Sequence, residues 1–272
     1  MIKVGYLGKN GTFSEVAANK YYKSEYLACN YKNFKKLIKD VSEGKIDDAI
    51  LPVENSTTGI IYRTYDLLKY FNVFAVGEVY VRIQENLIGI VGSNKSTIKS
   101  VYSHPEVLAQ CSNYLNENDY NPISYKDTAS SCALVKEKND IRYGALASSL
   151  ASNYHDLIII EENVQDNKLN TTRFLVVTNR KTFDKKADKV SMYFVVNHKP
   201  GSLYEVLEIF KLNNINLLKL ESRPLVDSLF EYCFYIDFEG NLNDDKVKVV
   251  LNEVGKHCLD YKILGNYVKA NF

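Results

Sequence analysis

The sequence predicts an α/β protein with two domains of different pattern, and three observations support this. Up to about residue 180, short apolar runs alternate with longer segments of helical periodicity. A charged segment without apolar periodicity follows at 179–189. Beyond it the order becomes strand, helix, strand, strand, helix, strand. The first pattern favours parallel sheets covered on both faces, and the second is that of a ferredoxin-like βαββαβ unit.

In the first domain, apolar spacing predicts the elements in order. The strand "IKVGYLG" is followed by the helices "SEVAANKYYKS" and "FKKLIKDVSEG" and the strand "DDAILPV". The helix "IYRTYDLLKYF" precedes the strands "VFAVGEVYV" and "ENLIGIVG". The segments "SVYSH" and "NPISYKD" lead into the helices "PEVLAQCSNYLNEN" and "ASSCALVKEKN". "YGALASSLASNYH" is predicted as a helix, and "LIIIEENV" and "RFLVVTN" as the closing strands.

The second domain is predicted at residues 190–272, after a linker at 181–189. It reads as the strand "VSMYFVVNH", the helix "SLYEVLEIFKLNN", the strands "INLLKLESRP" and "LFEYCFYIDFEG", the helix "DDKVKVVLNEVGKHC" and the strand "YKILGNYV".

Charge and cysteine content narrow the functional classes. The formal net charge of the 272 residues is +1, so no global field favours nucleic acid or an anionic membrane. The five cysteines are scattered without a CxxC pair, which argues against a disulfide framework or a thiolate metal site. No signal peptide precedes the first strand, and no apolar run reaches membrane-spanning length. We expect a cytoplasmic protein that uses no metal and no cofactor.

Four turns of small polar residues stand between a strand and a helix in the first domain. Because the carboxyl ends of parallel strands share one edge, these turns are expected to meet in a cleft lined by hydroxyls, amides and helix N-termini. Such a cleft suits a small carboxylate or phosphate. The alternative is plain helix capping, for which the same residue types are preferred. The turns are "GKNGTFSE" (8–15), "PVENSTTG" (52–59), "YSHPE" (102–106) and "KDTASS" (126–131).

Strong acids and bases are scarce in these turns. Of four histidines only His104 lies in one, and no paired carboxylates or phosphate-binding loop are present. Glu54 is a candidate proton donor, although a carboxylate beside a helix start is more often a favourable dipole partner. The segment "NTTRF" (170–174) adds Arg173, whose planar fork suits a carboxylate, and the hydroxyl of Thr172. From spacing alone, a polar strand start explains "NTTRF" equally well.

Taken together and in order, the motifs resemble the monofunctional prephenate dehydratases with a C-terminal ACT regulatory domain. The similarity covers nearly the whole chain. Departures from the usual family pattern occur at Lys9, Glu106, Ser131, Cys132 and Ser202. Since the chain starts at the first strand, a fused chorismate mutase is not expected. The motifs are "GTFSEVAA" (11–18), "LPVENSTTG" (51–59), "SHPEVLAQC" (103–111), "DTASSCA" (127–133), "GALASSLAS" (144–152), "VQDNKLNTTRF" (164–174), "PGSLYEVLEIF" (200–210) and "LESRP" (220–224).

The resemblance implies a two-lobed catalytic domain over 1–180, like a periplasmic binding protein, with one lobe at about 1–78 and 163–180 and the other at about 79–162. It implies decarboxylating dehydration of prephenate to phenylpyruvate, feedback inhibition by L-phenylalanine, and a homodimer or homotetramer. Thr172 and Arg173 would be catalytic, Thr172 towards the leaving hydroxyl and Arg173 towards the side-chain carboxylate. The implied substrate-binding residues are Thr12, Asn55, Ser56, Ser103, Gln110, Thr128 and Phe174, and the implied effector-binding residues are Gly201, Ser202, Leu203, Glu221, Ser222, Arg223 and Pro224.

Two alternatives stay open at this point. Arogenate dehydratase is one, since arogenate carries an amino group in place of the keto oxygen of prephenate. A non-catalytic protein that binds an amino acid or carboxylate is the other, because fold alone does not decide function. Phe174 also has a second interpretation, as a core residue of its strand.

Overall fold

The computed structural model describes residues 1–23, 25–182, 184–225 and 231–271. Phe183, within the predicted linker, lies outside the described residues. The strands are β1 (Ile2–Leu7), β2 (Tyr26–Tyr31), β3 (Asp48–Asn55), β4 (Gly59–Ile60), β5 (Phe74–Arg82), β6 (Asn86–Gly89), β7 (Ser100–Ser103), β8 (Asn121–Ser124), β9 (Tyr143–Ala147), β10 (Ile158–Glu161), β11 (Thr171–Thr178), β12 (Lys189–Val195), β13 (Leu217–Pro224), β14 (Tyr232–Glu239) and β15 (Asp260–Tyr267). The helices are α1 (Phe13–Tyr22), α2 (Phe34–Ser42), α3 (Tyr62–Tyr70), α4 (Pro105–Gln110), α5 (Ser112–Glu117), α6 (Thr128–Lys138), α7 (Ser149–Tyr154), α8 (Ser202–Leu212) and α9 (Asp245–His257).

The chain folds as two compact units. Unit 1 comprises residues 1–37, 50–61 and 79–174, and unit 2 comprises residues 38–49, 62–78 and 175–272. The predicted α/β class is confirmed. The lobe boundaries and linker drawn from the sequence stay predictions.

Unit 1 contains a mixed sheet with the strand order β10-β6-β9-β7-β8. Strand β7 is parallel to β8 and β9, whereas β6 is antiparallel to β9 and β10. Alternate residues enter two separate cores: Val101 packs with Leu108 of α4, and its neighbour Tyr102 packs with Val135 of α6. Period-two alternation therefore covers both faces of this sheet with helices, as the sequence predicts.

Two elements of unit 1 differ from the sequence prediction. Apolar spacing predicts one helix over residues 143–155, but they form strand β9 followed by α7. The alanines of β9 favour helix locally, yet Ala145 and Ala147 are fully buried in the sheet, and tertiary packing overrides the propensity. Strand β2 is absent from the sequence prediction because its residues are largely exposed and show no apolar run, although it pairs in parallel with β1.

Unit 2 contains the predicted strand, helix, strand, strand, helix, strand order, as β12-α8-β13-β14-α9-β15, and this prediction is confirmed. Strand β12 pairs antiparallel with β14 and β15, and β13 pairs with β14. Val190, Met192 and Phe194 pack against α8 and α9 in one apolar core. No helix within the described ranges is long and apolar enough to span a bilayer.

Candidate active site

Unit 1 contains an open cavity of about 1060 Å³. Each of the four polar turns contributes lining residues, for example Thr12, Asn55, Glu106 and Thr128. The third turn does so through the first turn of α4, which Pro105 begins. The strand ends and helix starts that the sequence predicts to share one edge therefore border one cavity.

Gly11 places the N-terminus of α1 at this cavity. Its φ of +91° is a conformation that favours glycine, and an added Cβ would lie 2.7 Å from the Ala151 Cα. The Ser148 hydroxyl donates to the Gly11 carbonyl at 2.6 Å. Only a glycine permits this close approach of the loop to α7.

The helix starts differ in how they are capped. Asp127 caps α6 by accepting from the Ser130 N–H at 2.6 Å, and His104 Nδ1 accepts from the Glu106 N–H at 3.2 Å. The capping interpretation is thus correct for these two residues. Thr12 occupies the N-cap of α1 without a side-chain capping bond. Helix N-termini carry partial positive charge, and Glu15 in the first turn of α1, which accepts from the Gly11 N–H, already offsets part of it.

A chain of amide and hydroxyl groups crosses the cavity wall. Asn55 Nδ2 donates to Asn170 Oδ1 at 2.7 Å and to Thr172 Oγ1 at 2.9 Å. Asn170 Nδ2 donates in turn to Gln110 Oε1 at 3.2 Å. The Asn55 oxygen accepts from the backbone N–H groups of Thr57 and Thr58, both at 2.9 Å. All donor and acceptor groups of the Asn55 amide are therefore engaged.

This arrangement orients the Thr172 hydroxyl. Its oxygen accepts from Asn55, so its hydrogen is left to donate. Thr172 lines the cavity and is almost fully buried. A hydroxyl held in this way can donate to an oxygen of a bound molecule.

Thr172 and Arg173 lie on opposite faces of β11, since successive side chains of a strand alternate. Asn170, Thr172 and Phe174 line the cavity. Arg173 is buried, and its guanidinium lies 3.5 Å from the Glu54 carboxylate. The sequence analysis names Glu54 as a candidate proton donor, and the structure pairs its carboxylate with Arg173.

The predicted substrate residues divide into two groups. Those that line the cavity are Thr12, Asn55, Gln110, Thr128, Thr172 and Phe174. Ser56, Ser103 and Arg173 are described by the structure and are not part of the lining. The Ser103 hydroxyl donates to the Leu146 carbonyl at 2.8 Å, and Ser56 Oγ accepts from the Thr171 N–H at 2.9 Å. Their observed bonds fix loops and strands around the cavity.

Three lysines that sequence reasoning did not single out as site residues also line the cavity, namely Lys9, Lys32 and Lys126. All three are exposed at its rim. Their ammonium groups favour an anionic ligand, and their solvation makes each a weak, long-range contributor. The first and fourth polar turns could have indicated Lys9 and Lys126, whereas Lys32 follows a strand that the sequence did not reveal.

Glu85 is a further lining residue that the sequence did not reveal. It lies between β5 and β6 and is fully buried. Among the described residues, neither of its carboxyl oxygens has a hydrogen-bond partner. Burial disfavours the charged form and raises the pKa of Glu85 to about 8. Glu85 is the first residue of the predicted strand "ENLIGIVG", and a single glutamate at the start of a strand gives no signal for a site.

The predicted effector segments lie in unit 2. Gly201, with a φ of +87°, is the N-cap of α8. Ser202 and Leu203 line a second cavity of about 420 Å³, together with residues such as His198 and Tyr232.

The other predicted effector residues, Glu221 to Pro224, form the end of β13 paired with β14. They are not among the residues that line the second cavity. Arg223 lies 2.5 Å from the Asp66 carboxylate and 4.7 Å from the centre of the Tyr62 ring.

Fold and site together define a class. An α/β chain whose cavity is lined by oriented hydroxyl and amide groups, with lysines at its rim, has the side chains that an enzyme acting on a small carboxylate substrate would need. The family model described as prephenate dehydratase matches residues 4–182, and the chain belongs to this family of lyases.

Relatives of known name agree with this assignment. The chain is 37% identical to the prephenate dehydratase of Methanocaldococcus jannaschii, over 94% of each chain. It is also 37% identical to arogenate dehydratase/prephenate dehydratase 1 of Arabidopsis thaliana, over 98% of this chain and 72% of the relative. A crystal structure of prephenate dehydratase from Arthrobacter aurescens in complex with L-Phe has a TM-score of 0.90 at 27% identity, covering 99% of this chain and 90% of the other.

Proposed function

We propose that the cavity of unit 1 binds prephenate and converts it to phenylpyruvate. The observation that carries this proposal is the oriented hydroxyl of Thr172, held by Asn55 at 2.9 Å in a cavity with lysines at its rim. The reaction requires departure of a ring hydroxyl and of carbon dioxide from a dicarboxylate. The Thr172 hydroxyl can donate to the leaving oxygen. The solvated lysines can attract the carboxylates without binding them tightly.

The chemistry proceeds without a redox change. The bond between the ring and the leaving carboxylate breaks, and its electron pair enters the ring, which becomes aromatic. The bond from the ring to the hydroxyl oxygen breaks with its electron pair on oxygen. Thr172 donates a hydrogen bond to that oxygen and stabilises its developing charge. A carboxylate that leaves as carbon dioxide is best left without a strong cation, because tight pairing stabilises the ground state.

The substrate carboxylates are assigned to the lysines at the cavity rim. Lys9 and Lys126 are the lysines of the first and fourth polar turns. Direct pairing of Arg173 with the side-chain carboxylate stays a prediction. The Arg173–Glu54 pair supports a second role, in which Arg173 fixes the turn that carries Asn55.

One assay tests substrate and reaction together. The purified chain is incubated separately with prephenate and with arogenate, and phenylpyruvate and phenylalanine are measured. We expect phenylpyruvate from prephenate. Turnover of arogenate alone would select the second candidate, which is one of the two activities in the name of the Arabidopsis relative. If neither substrate gives a product, both dehydratase activities are contradicted, and a non-catalytic binding protein becomes the favoured interpretation.

Regulation by L-phenylalanine is the second part of the proposal. The Arthrobacter relative was crystallised with L-Phe, and the segments 201–203 and 221–224 of this chain are the predicted effector residues. We expect inhibition by millimolar phenylalanine, heat on titration, and a homodimer or homotetramer by light scattering. If phenylalanine produces neither heat on titration nor inhibition, the proposed regulation is wrong. A cytoplasmic location stays a prediction.

A further inference from the structure

The backbone around Glu85 is held firmly in place. The Glu85 N–H donates to Gln165 Oε1 at 3.0 Å, and the Glu85 carbonyl accepts from the Val164 N–H at 2.8 Å. The preceding Ile83 N–H donates to the Asn170 carbonyl at 2.8 Å. The Glu85 backbone is thus bound to the segment that leads into β11. Its carboxyl group, in contrast to its backbone, has no hydrogen-bond partner among the described residues.

A buried carboxyl without a partner is destabilising, because it loses its hydrogen bonds to water and gains none in return. An apolar residue at position 85 would avoid that loss. Glu85 nevertheless borders the cavity at which the proposed reaction occurs. A carboxyl in an apolar pocket remains protonated at a pH where a solvated one is ionised, and this is how a carboxylic acid serves as a proton donor near neutral pH.

The proposed reaction consumes one proton. The prephenate dianion and one proton give the phenylpyruvate anion, carbon dioxide and water. Thr172 is a poor acid at neutral pH, so it can orient the leaving hydroxyl but is badly suited to supply that proton. Among the other carboxyl groups of the lining, Glu106 and Glu137 are exposed to solvent and Asp127 caps α6.

We propose that Glu85, as a neutral carboxylic acid, is the catalytic proton donor to the departing hydroxyl. This rests on the proposed function. The Glu85 O–H bond breaks, its proton joins the leaving oxygen to form water, and the carboxylate left behind is reprotonated from solvent after product release. Thr172 holds the same oxygen in line for the transfer.

The surroundings of Glu85 favour the neutral acid before the transfer. The thiols of Cys111 and Cys132 interact with Glu85, and burial is the main cause that raises the pKa of both thiols, which keeps them uncharged beside it. The other ionisable residues near it are those that line the same cavity. They are Lys9, Tyr31, Lys32, Glu106, Tyr125, Lys126, Asp127 and Glu137.

The test is the pH dependence of turnover of prephenate by wild type, Glu85→Gln and a matched control. Glu162→Gln is that control, since Glu162 is exposed and lies outside the cavity lining. We expect Glu85→Gln to lower kcat by about 100-fold at pH 6.5 with KM within about threefold. Wild-type kcat/KM should fall about tenfold per pH unit above a pKa near 8, and Glu85→Gln should lack this fall. Glu162→Gln should follow the wild type.

Distinct results overturn the two proposals. Wild type that forms no phenylpyruvate contradicts the proposed function. Active wild type with Glu85→Gln within about threefold in kcat and an unchanged alkaline limb contradicts the role of Glu85 alone. If Glu85→Gln does not fold, Glu85→Leu, an apolar side chain of similar volume, repeats the test. A wild-type kcat/KM that stays constant from pH 7 to 9.5 overturns the role of Glu85 without any variant.

Discussion

One buried ionisable cluster in unit 2 and one buried carboxyl in unit 1 differ in whether they have polar partners. In unit 2, the Lys189 ammonium lies 3.0 Å from Glu78, with Asp237 at 3.9 Å. Asp237 also accepts from the Ser191 hydroxyl at 2.5 Å, and Glu78 accepts from the Ala270 N–H at 3.0 Å. In unit 1, Glu85 is equally buried but has no hydrogen-bond partner among the described residues.

This difference separates a structural use of buried charge from a chemical one. Paired charges hold strands together and do not take part in a reaction, because each group is already bound to its partner. An unpartnered acid that borders a cavity remains available to a ligand. The neutral Asn55–Thr172 network lies between these cases: its donors and acceptors are matched, yet the Thr172 hydrogen is left for the substrate.

The largest effect is expected from breaking the buried pair of unit 2. Lys189→Met leaves the Glu78 and Asp237 carboxylates without their ammonium in a buried site. The free energy of unfolding should fall by about 3–5 kcal/mol, measured by urea denaturation. Lys189→Met combined with Glu78→Gln should recover part of the loss, because fewer uncompensated charges remain. A single variant as stable as wild type would show that the pairing is not structural.

The next effect concerns the pH dependence of stability. The pKa of Glu85 in the folded chain, about 8, lies above its value in the unfolded chain, about 4.5. Between these values the unfolded chain loses a proton that the folded chain keeps, so stability falls as pH rises through this window, by about 1.4 kcal/mol per pKa unit of difference. Glu85→Gln should remove this contribution. Unfolding of both proteins at pH 5 and pH 8 checks this, and equal pH dependence would contradict it.

Reversing the donors of Asn55 should affect catalysis next. Asn55→Asp keeps the shape and the acceptors for Thr57 and Thr58, but it replaces the donor to Thr172 by an acceptor. The Thr172 hydrogen then turns towards the introduced carboxylate, and we expect kcat to fall on the order of 100-fold. The control is the same change at the exposed Asn116. An Asn55→Asp enzyme within threefold of wild type would contradict this orientation.

The smallest effect is expected at the half-buried Arg223–Asp66 pair of unit 2. Asp66→Asn keeps the shape and removes the charge beside Arg223, at a cost of about 1 kcal/mol in the free energy of unfolding. Asp245→Asn is the matched control, since its pair with Lys248 is solvent-exposed, and no measurable change is expected there. Equal effects at both positions would show that burial does not matter to these pairs.

The sequence predicted the cavity better than its internal geometry. Turns of glycine, asparagine, serine and threonine mark strand ends locally and predicted a cleft, while the resemblance to a family singled out Thr12, Asn55 and Thr128 within them. The bond from Asn55 to Thr172 joins residues 117 positions apart, which spacing does not reveal. Arg173 was grouped with Thr172 although adjacent residues of a strand face opposite sides. Glu85 has no local signal, because its significance comes only from burial.

The most direct test compares Thr172→Val with Thr171→Val. The two changes are identical, but Thr172 lines the cavity, whereas the Thr171 hydroxyl donates to the Leu169 carbonyl at 2.9 Å. With prephenate as substrate, we expect Thr172→Val to lower kcat by about 100-fold and Thr171→Val to stay within about threefold. If Thr172→Val also stays within threefold, a barrier change below about 1 kcal/mol, Thr172 does not assist the departing hydroxyl.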